Sequence, residues 1–315
     1  MTDTAVRVPV VRYQAELVEA VVQRELARRW QAGERHWHER YRKAADRLYV
    51  LHPEPAARAA AFHRLHAGLF DELGCGRPVV QALERARVPA TVVLVARART
   101  PDEEEADLTD EGATLGLRIM AERFGTPDLE RLLDHELGHV ADIVDPVFEY
   151  GRAAIGGPVA QGLVGARFGL LWDCVVDGRT ARAGRTPLRT RQEYDTALPR
   201  LFPQVPSAAA AVVVGRLWDG MRPTFDELVR FAVDPHALAR WSGVHLDQDE
   251  GPGGRSGPGA PCPLCRFPTH AWASPVPEGI VALIATDFPG WSPAEGACER
   301  CVERYAVAAE LGGAL

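Results

Sequence analysis

Between Val11 and Leu73, apolar residues recur at three- to four-residue intervals: Leu17, Val21, Val22, Leu26, Trp30, Trp37, Tyr41 and Leu48, with arginines and glutamates between them. That period belongs to helices with one apolar face, so the stretch is predicted helical and its aromatic stripe is read as core. His63 and His66 fall here as surface or interhelical residues. The pattern changes at Pro89–Ala96, where the run Thr91-Val92-Val93-Leu94-Val95 predicts a short buried strand. Asp102–Asp110 is acidic and reads as a solvated connection, and Ala113–Met120 predicts a second strand.

A helix is predicted from Thr126 to about Val144. Thr126 suits the cap, Pro127 the first helical position, and Asp128 and Glu130 the positive end of the helix, while Asp145-Pro146 stops it. A Gly-rich stretch over 151–157 leads to a second helix over about 159–183, and two or three more helices are expected over Thr190–Trp241. Asp247–Pro261 lacks apolar periodicity and reads as a linker. The fold class expected is mainly α with a small β-sheet, plus a small C-terminal metal-bound module. Residues 1–243 form the first domain, with its functional core at about 88–184; 244–261 form the linker and 262–315 the module.

Composition narrows the function classes. The 315-residue chain has 36 basic and 43 acidic residues, a net charge of −7, which disfavours broad binding to nucleic acid or anionic membrane. Lys43 is the only lysine and asparagine is absent, the usage of a GC-rich, bacterial genome. The N-terminal MTDTAVRVPVVRYQAEL has no basic segment leading into a long apolar run, and the apolar stretches over 153–166 and 208–214 are too short or too broken to span a bilayer. A cytoplasmic protein is expected, and in that compartment clustered cysteines are read as metal ligands rather than disulfides.

Inside the Thr126 helix lies Asp134-His135-Glu136-Leu137-Gly138-His139, an HExxH motif. Residues i and i+4 share a helix face, so His135 and His139 can offer two nitrogens to one metal. Glu136 can then take a proton from water on that metal. A catalytic zinc takes three protein ligands and keeps one position open, and two acids compete for the third place. Asp145 would complete HExxHxxDxxD. Alternatively, Asp173-Cys174-Val175-Val176-Asp177 on the next helix puts two acids on one face, one to bind metal and one to accept a hydrogen bond from a ligand histidine.

The motif resembles the zincin metallopeptidases over about 88–184. Ending at Asp145, it is similar to the metzincins, which have Gly where this chain has Asp142. Continuing to Asp173, it resembles the gluzincins, in which HExxH is followed on a second helix by ExxxD. The gluzincin resemblance implies Asp173 as third ligand, Asp177 as partner of His135, Glu136 as general base, and peptide-bond hydrolysis on a peptide or protein substrate. Asp in place of Glu is one methylene shorter and demands closer helices. Tyr150, Tyr194 and His245 are the candidate oxyanion donors.

Cys262-Pro-Leu-Cys265 and Cys298-Glu-Arg-Cys301 supply four thiolates for a structural zinc, so two zinc ions are expected, one catalytic and one structural. Gly279–Ala285 is predicted as a strand of a zinc-ribbon-like module closed by a helix over Val302–Leu311, with Trp272, Phe288 and Trp291 forming its core or docking a protein partner. The alternative to an enzyme is a zinc-stabilised scaffold or adaptor. The HExxH-plus-ribbon order also resembles the SprT-like proteins, which act near DNA, although the acidic module speaks against nucleic acid.

Overall fold

A computed structural model describes residues 9–109, 112–151, 162–244, 259–273, 275–289 and 291–310. The chain forms two compact units, Met1–His245 and Leu246–Leu315, and its described residues are mainly helical with two small sheets. Most of the expected linker, over 245–258, lies outside the described residues, as does the Gly-rich stretch over 152–161.

The first unit opens with strand β1 (Val10–Tyr13), followed by helices α1 (Ala15–Gln31), α2 (Arg35–Leu51), α3 (Pro55–Glu72) and α4 (Arg77–Ala86). Strand β2 (Val92–Ala98) then pairs in parallel with β1 and with β4 (Thr114–Met120), while β3 (Glu105–Leu108) pairs antiparallel with β4 at the sheet edge, giving the order β1-β2-β4-β3. Two of these strands correct the sequence reading. Val10–Tyr13, expected within a helical stretch, is too short to reveal a period, and its place is fixed by pairing with β2. The acidic segment, expected as a connection, holds β3. Ala106 and Leu108 turn inward while Glu105 and Asp107 stay exposed, and charges on an outer strand guard it against edge-to-edge pairing. β2 is not wholly buried either: Val93 and Val95 face the core while Leu94 is exposed.

The core lies between this sheet and the helices. Leu17, Val21, Val22 and Leu26 of α1 meet Val93, Val95, Leu115, Leu117 and Ile119 of the sheet, together with α5 (Pro127–Val144). α5 contributes Leu129, Leu132, Leu133, Leu137 and Val140. At about 2 kcal/mol for each buried aliphatic, these five side chains hold α5 in place with on the order of 10 kcal/mol of apolar burial. The side-chain cap expected from Thr126 does not form; its hydroxyl turns back to the Arg123 carbonyl at 2.8 Å. The aromatic stripe is core only in part. Trp37 and Tyr41 pack against the cluster, whereas Trp30 is exposed beside Arg35 and His38. His66 is interhelical, stacked on Tyr41.

Helix α6 (Gly162–Arg182) is buried around nearly its whole circumference from Leu170 to Gly178. It packs against α5, α7 (Arg191–Leu201), α8 (Ser207–Trp218) and α9 (Phe225–Val233), and α10 (Pro235–Ser242) closes the unit. Two glycines allow these approaches. A Cβ on Gly138 of α5 would lie 2.5 Å from Val176 Cγ1, and one on Gly178 would lie 2.6 Å from the Trp218 carbonyl oxygen.

In the second unit, β5 (Ala260–Pro261) pairs with β6 (Pro268–Thr269), and α11 (Glu278–Asp287) and α12 (Glu299–Glu310) follow. The stretch predicted as a strand over Gly279–Ala285 is therefore helical. Ile280 and Ile284, four residues apart, are its buried residues, and a short apolar run does not reveal whether its period is two or four. The small core joins these isoleucines to Trp291, Ala297 and Tyr305, while Phe288 is more than one-third exposed.

Candidate metal centres

Because α5 and α6 cross at Gly138, three ligand atoms converge between them. His135 Nε2 lies 3.2 Å from His139 Nε2, and Asp173 Oδ1 lies 3.6 Å from the first and 3.2 Å from the second. Donors bound at 2.0–2.1 Å on a tetrahedral zinc are separated by about 3.3 Å. The residues present therefore fit such an ion, and among the described residues this group has three members. The short Asp reaches the histidines because no Cβ at Gly138 holds the helices apart.

Asp177, one turn beyond Asp173, is fully buried and meets four donors. His135 Nδ1 lies at 2.9 Å, the Tyr194 hydroxyl at 2.6 Å, and the backbone N–H groups of Leu188 and Arg189 at 3.0 and 2.9 Å. Accepting from Nδ1–H leaves the Nε2 lone pair of His135 directed at the shared point, the arrangement that holds a ligand histidine in the right tautomer. Burial opposes ionisation of Asp177, but His135, Tyr194 and the Arg189 N–H outweigh it and hold the carboxyl below the usual range. Burial likewise disfavours a charged His135, yet hydrogen bonds and charge from Asp173 and Asp177 push its pKa up to about 10. Burial also works against a charged Asp173, and His135 and His139 hold it well below an ordinary carboxylate. Two carboxylates around two imidazoles in a buried setting call for a cation, which a divalent metal supplies as well as a proton.

Glu136 is oriented by the edge strand: its Oε2 accepts the Ala106 N–H at 3.0 Å. Ala106 lies opposite Leu117 in the register, three residues, an odd number of steps, from the bonded pair that carries Thr109 N–H to the Thr114 carbonyl, so its N–H points off the sheet edge rather than into it. Burial raises the Glu136 pKa above the usual value, against the opposing pull of His139, His135 and the Ala106 N–H. That is the direction in which a general base is tuned.

Asp145 stands apart from this cluster. Its Oδ1 accepts the Val147 N–H at 2.9 Å and its Oδ2 lies 3.8 Å from Arg222. The cause is Asp142, which stays helical and buried, accepting from Trp172 Nε1 at 2.9 Å and from Arg179 Nη1. With Asp142 held there, the chain does not turn back toward the histidines where a glycine would have allowed it. Arg179, on the same helix as Asp173 and Asp177, serves Asp142 and the Gly138 carbonyl, the latter at 2.9 Å. Of the candidate oxyanion donors, Tyr194 is buried with its hydroxyl on Asp177, Tyr150 packs among Phe148, Trp172 and Phe225, and His245 lies outside the described residues. Gly138, Ala106 and Arg189 were not singled out from the sequence. The glycine between the two histidines carried a signal, since the shorter Asp required close helices.

In the second unit Cys262, Cys265, Cys298 and Cys301 converge. Sγ separations are 4.0 Å for Cys262–Cys301 and 3.9 Å for Cys265–Cys298. A disulfide needs about 2.05 Å, whereas thiolates bound at 2.3 Å on a tetrahedral zinc lie about 3.8 Å apart. The fit is again to a metal. Burial works against a thiolate at Cys262, but backbone N–H groups of Cys265, Cys298 and Leu264 bring its pKa down to about 7. The other cysteines are separate: Cys75 is partly buried, and Cys174 is buried beside Asp173.

No family model matches the chain, and comparisons with curated proteins and with solved structures give no match either.

Proposed function

We propose that the first unit is a zinc-dependent metallopeptidase of the zincin type, and that the four cysteines hold a second, structural zinc. The observation that carries this reading is the convergence of His135, His139 and Asp173 beside a buried Glu136. The sequence resemblance to the gluzincins agrees with Asp173 as third ligand and Asp177 as partner of His135. Zinc bound there would polarise the substrate carbonyl and acidify water, leaving one position open.

The protein's own groups do the rest. Asp177 fixes the ring of His135. Ala106 N–H fixes one oxygen of Glu136, leaving the other to accept a proton from the attacking water. Burial keeps Glu136 basic enough to take that proton and acidic enough to return it to the leaving nitrogen. The side chain of Asp173 is about one-quarter exposed, which favours a site reached by substrate over a sealed structural metal in a scaffold.

Glu136→Gln preserves shape and the three metal donors while removing the base. Peptide hydrolysis is expected to fall by about 10²- to 10⁴-fold with zinc content unchanged. Hydrolysis at the wild-type rate would exclude Glu136 as base. In the wild type, kcat/KM is expected to decline with acidity at a pH above that of an ordinary glutamate, because the raised pKa protonates Glu136 earlier as pH falls. A broad peptide library on which the zinc-loaded protein cleaves nothing would favour the scaffold.

A further inference from the structure

We infer that Arg189 is the cation that binds the anionic oxygen formed on the substrate at the first metal centre. The inference rests on the hydrolytic reading above and adds the group that completes it. Arg189 stands in the turn between α6 and α7, and its backbone is anchored on two sides. Asp177 accepts the N–H groups of Leu188 and Arg189, while Arg131 of α5 donates to the carbonyls of Pro187 and Leu188 at 3.0 and 2.8 Å. The carboxylate that orients His135 therefore also fixes where the Arg189 side chain begins.

The side chain itself is free to act. It is half exposed, and its Nη1 lies 4.0 Å from Asp173 Oδ2, the oxygen other than the one nearest the two imidazoles. This is an ion pair at the limit of contact, not a hydrogen bond. The neighbouring donors are committed elsewhere: Arg179 to Asp142 and Gly138, Arg131 to the turn, Arg185 to Asp134, and the Tyr194 hydroxyl to Asp177. Among the described residues, Arg189 is the cation that faces a ligand carboxylate and makes no side-chain hydrogen bond. A guanidinium stays charged at any working pH and presents five N–H donors to an oxyanion.

The chemistry uses that charge at one moment. The water oxygen adds to the carbonyl carbon and one of its protons passes to Glu136. The carbonyl electron pair moves onto oxygen, and Arg189 donates to that anion. The C–N bond then breaks as the electron pair returns to carbon–oxygen and Glu136 delivers its proton to the leaving nitrogen. In the resting protein the same guanidinium is parked against Asp173 Oδ2.

The test uses the full chain loaded with zinc or cobalt(II), as wild type, Arg189→Gln and Arg189→Lys. Acetate is the anion probe, titrated against the visible spectrum of the cobalt form. Arg189→Gln is expected to weaken acetate by about tenfold or more, the loss of one charged hydrogen bond, with Arg189→Lys intermediate and cobalt content unchanged. On a cleaved peptide, kcat is expected to fall by about 10²- to 10³-fold with KM changed less than about threefold. Acetate affinity and kcat equal to wild type would overturn the assignment. Loss of cobalt from both variants would also overturn it, because Arg189 would then act only through Asp173. If the wild type cleaves no peptide, the hydrolytic reading fails, and the acetate titration still decides whether Arg189 receives anions.

Discussion

The two candidate centres collect their ligands in opposite ways. His135, His139 and Asp173 stand on two long helices that are already packed, α5 by its own aliphatic row and α6 on nearly all sides. The four cysteines stand in two short knuckles of a unit whose buried cluster is Ile280, Ile284, Trp291, Ala297 and Tyr305. In the first centre the fold builds the site, and a metal held there would, on the proposed reading, have chemistry left to do. In the second the core is small, so a metal bound by the knuckles would do much of the holding. Three donors leave a tetrahedral ion one position short, and four close it.

The widest separation between the two is expected from Cys265→Ser. A structural zinc in a small module contributes about 10–16 kcal/mol to its folding, so the second unit should lose its cooperative fold while the first keeps its own. Metal analysis and the NMR spectrum of the full chain would record one zinc lost and only second-unit signals collapsed. A folded second unit without metal would break the comparison. Next comes Asp177→Asn. The amide can still accept from His135, but it cannot also accept from Tyr194 and two backbone N–H groups, so metal affinity at the first centre should fall about 10- to 100-fold, read by competition with a chelating dye.

Gly138→Ala tests the helix approach. The added methyl meets Val176 Cγ1 at 2.5 Å, and overpacking of this kind costs about 1–3 kcal/mol. Thermal unfolding should register that cost together with weaker metal binding, because Asp173 moves away with α6. An unchanged Tm and affinity would show that the crossing has slack. The smallest effect is expected from Asp145→Ala, about 1 kcal/mol or less for a surface ion pair and one hydrogen bond from the Val147 N–H, with metal content intact. Loss of metal there would return Asp145 to the ligand set.

Much of the first centre was legible because its chemistry is local. The spacing of His135, Glu136 and His139 needs only a helix, and Asp173 and Asp177 need only a second one. What was not legible depends on distant partners. The strand at Glu105–Leu108 looks like a solvated acidic segment until β4 pairs with it, so the Ala106 N–H on Glu136 could not be foreseen. Asp145 and Asp173 could not be ranked by spacing alone, because the decision lies with Trp172 and Arg179 holding Asp142 in its helix. Val10–Tyr13 and Gly279–Ala285 show the limit of periodicity in short segments: one is a strand by its partner, the other a helix by the position of Ile280 and Ile284.

The backbone N–H groups of Leu188, Arg189 and Ala106 end on the carboxylates of Asp177 and Glu136 rather than on peptide carbonyls. Amide hydrogen exchange at these three positions therefore reports on the centre itself. Anything that protonates, displaces or recruits either carboxylate changes how long a deuteron takes to enter there, while amides in the α5 ladder continue to report global opening. Three backbone positions thus provide a built-in gauge of the state of the first centre, readable without a substrate.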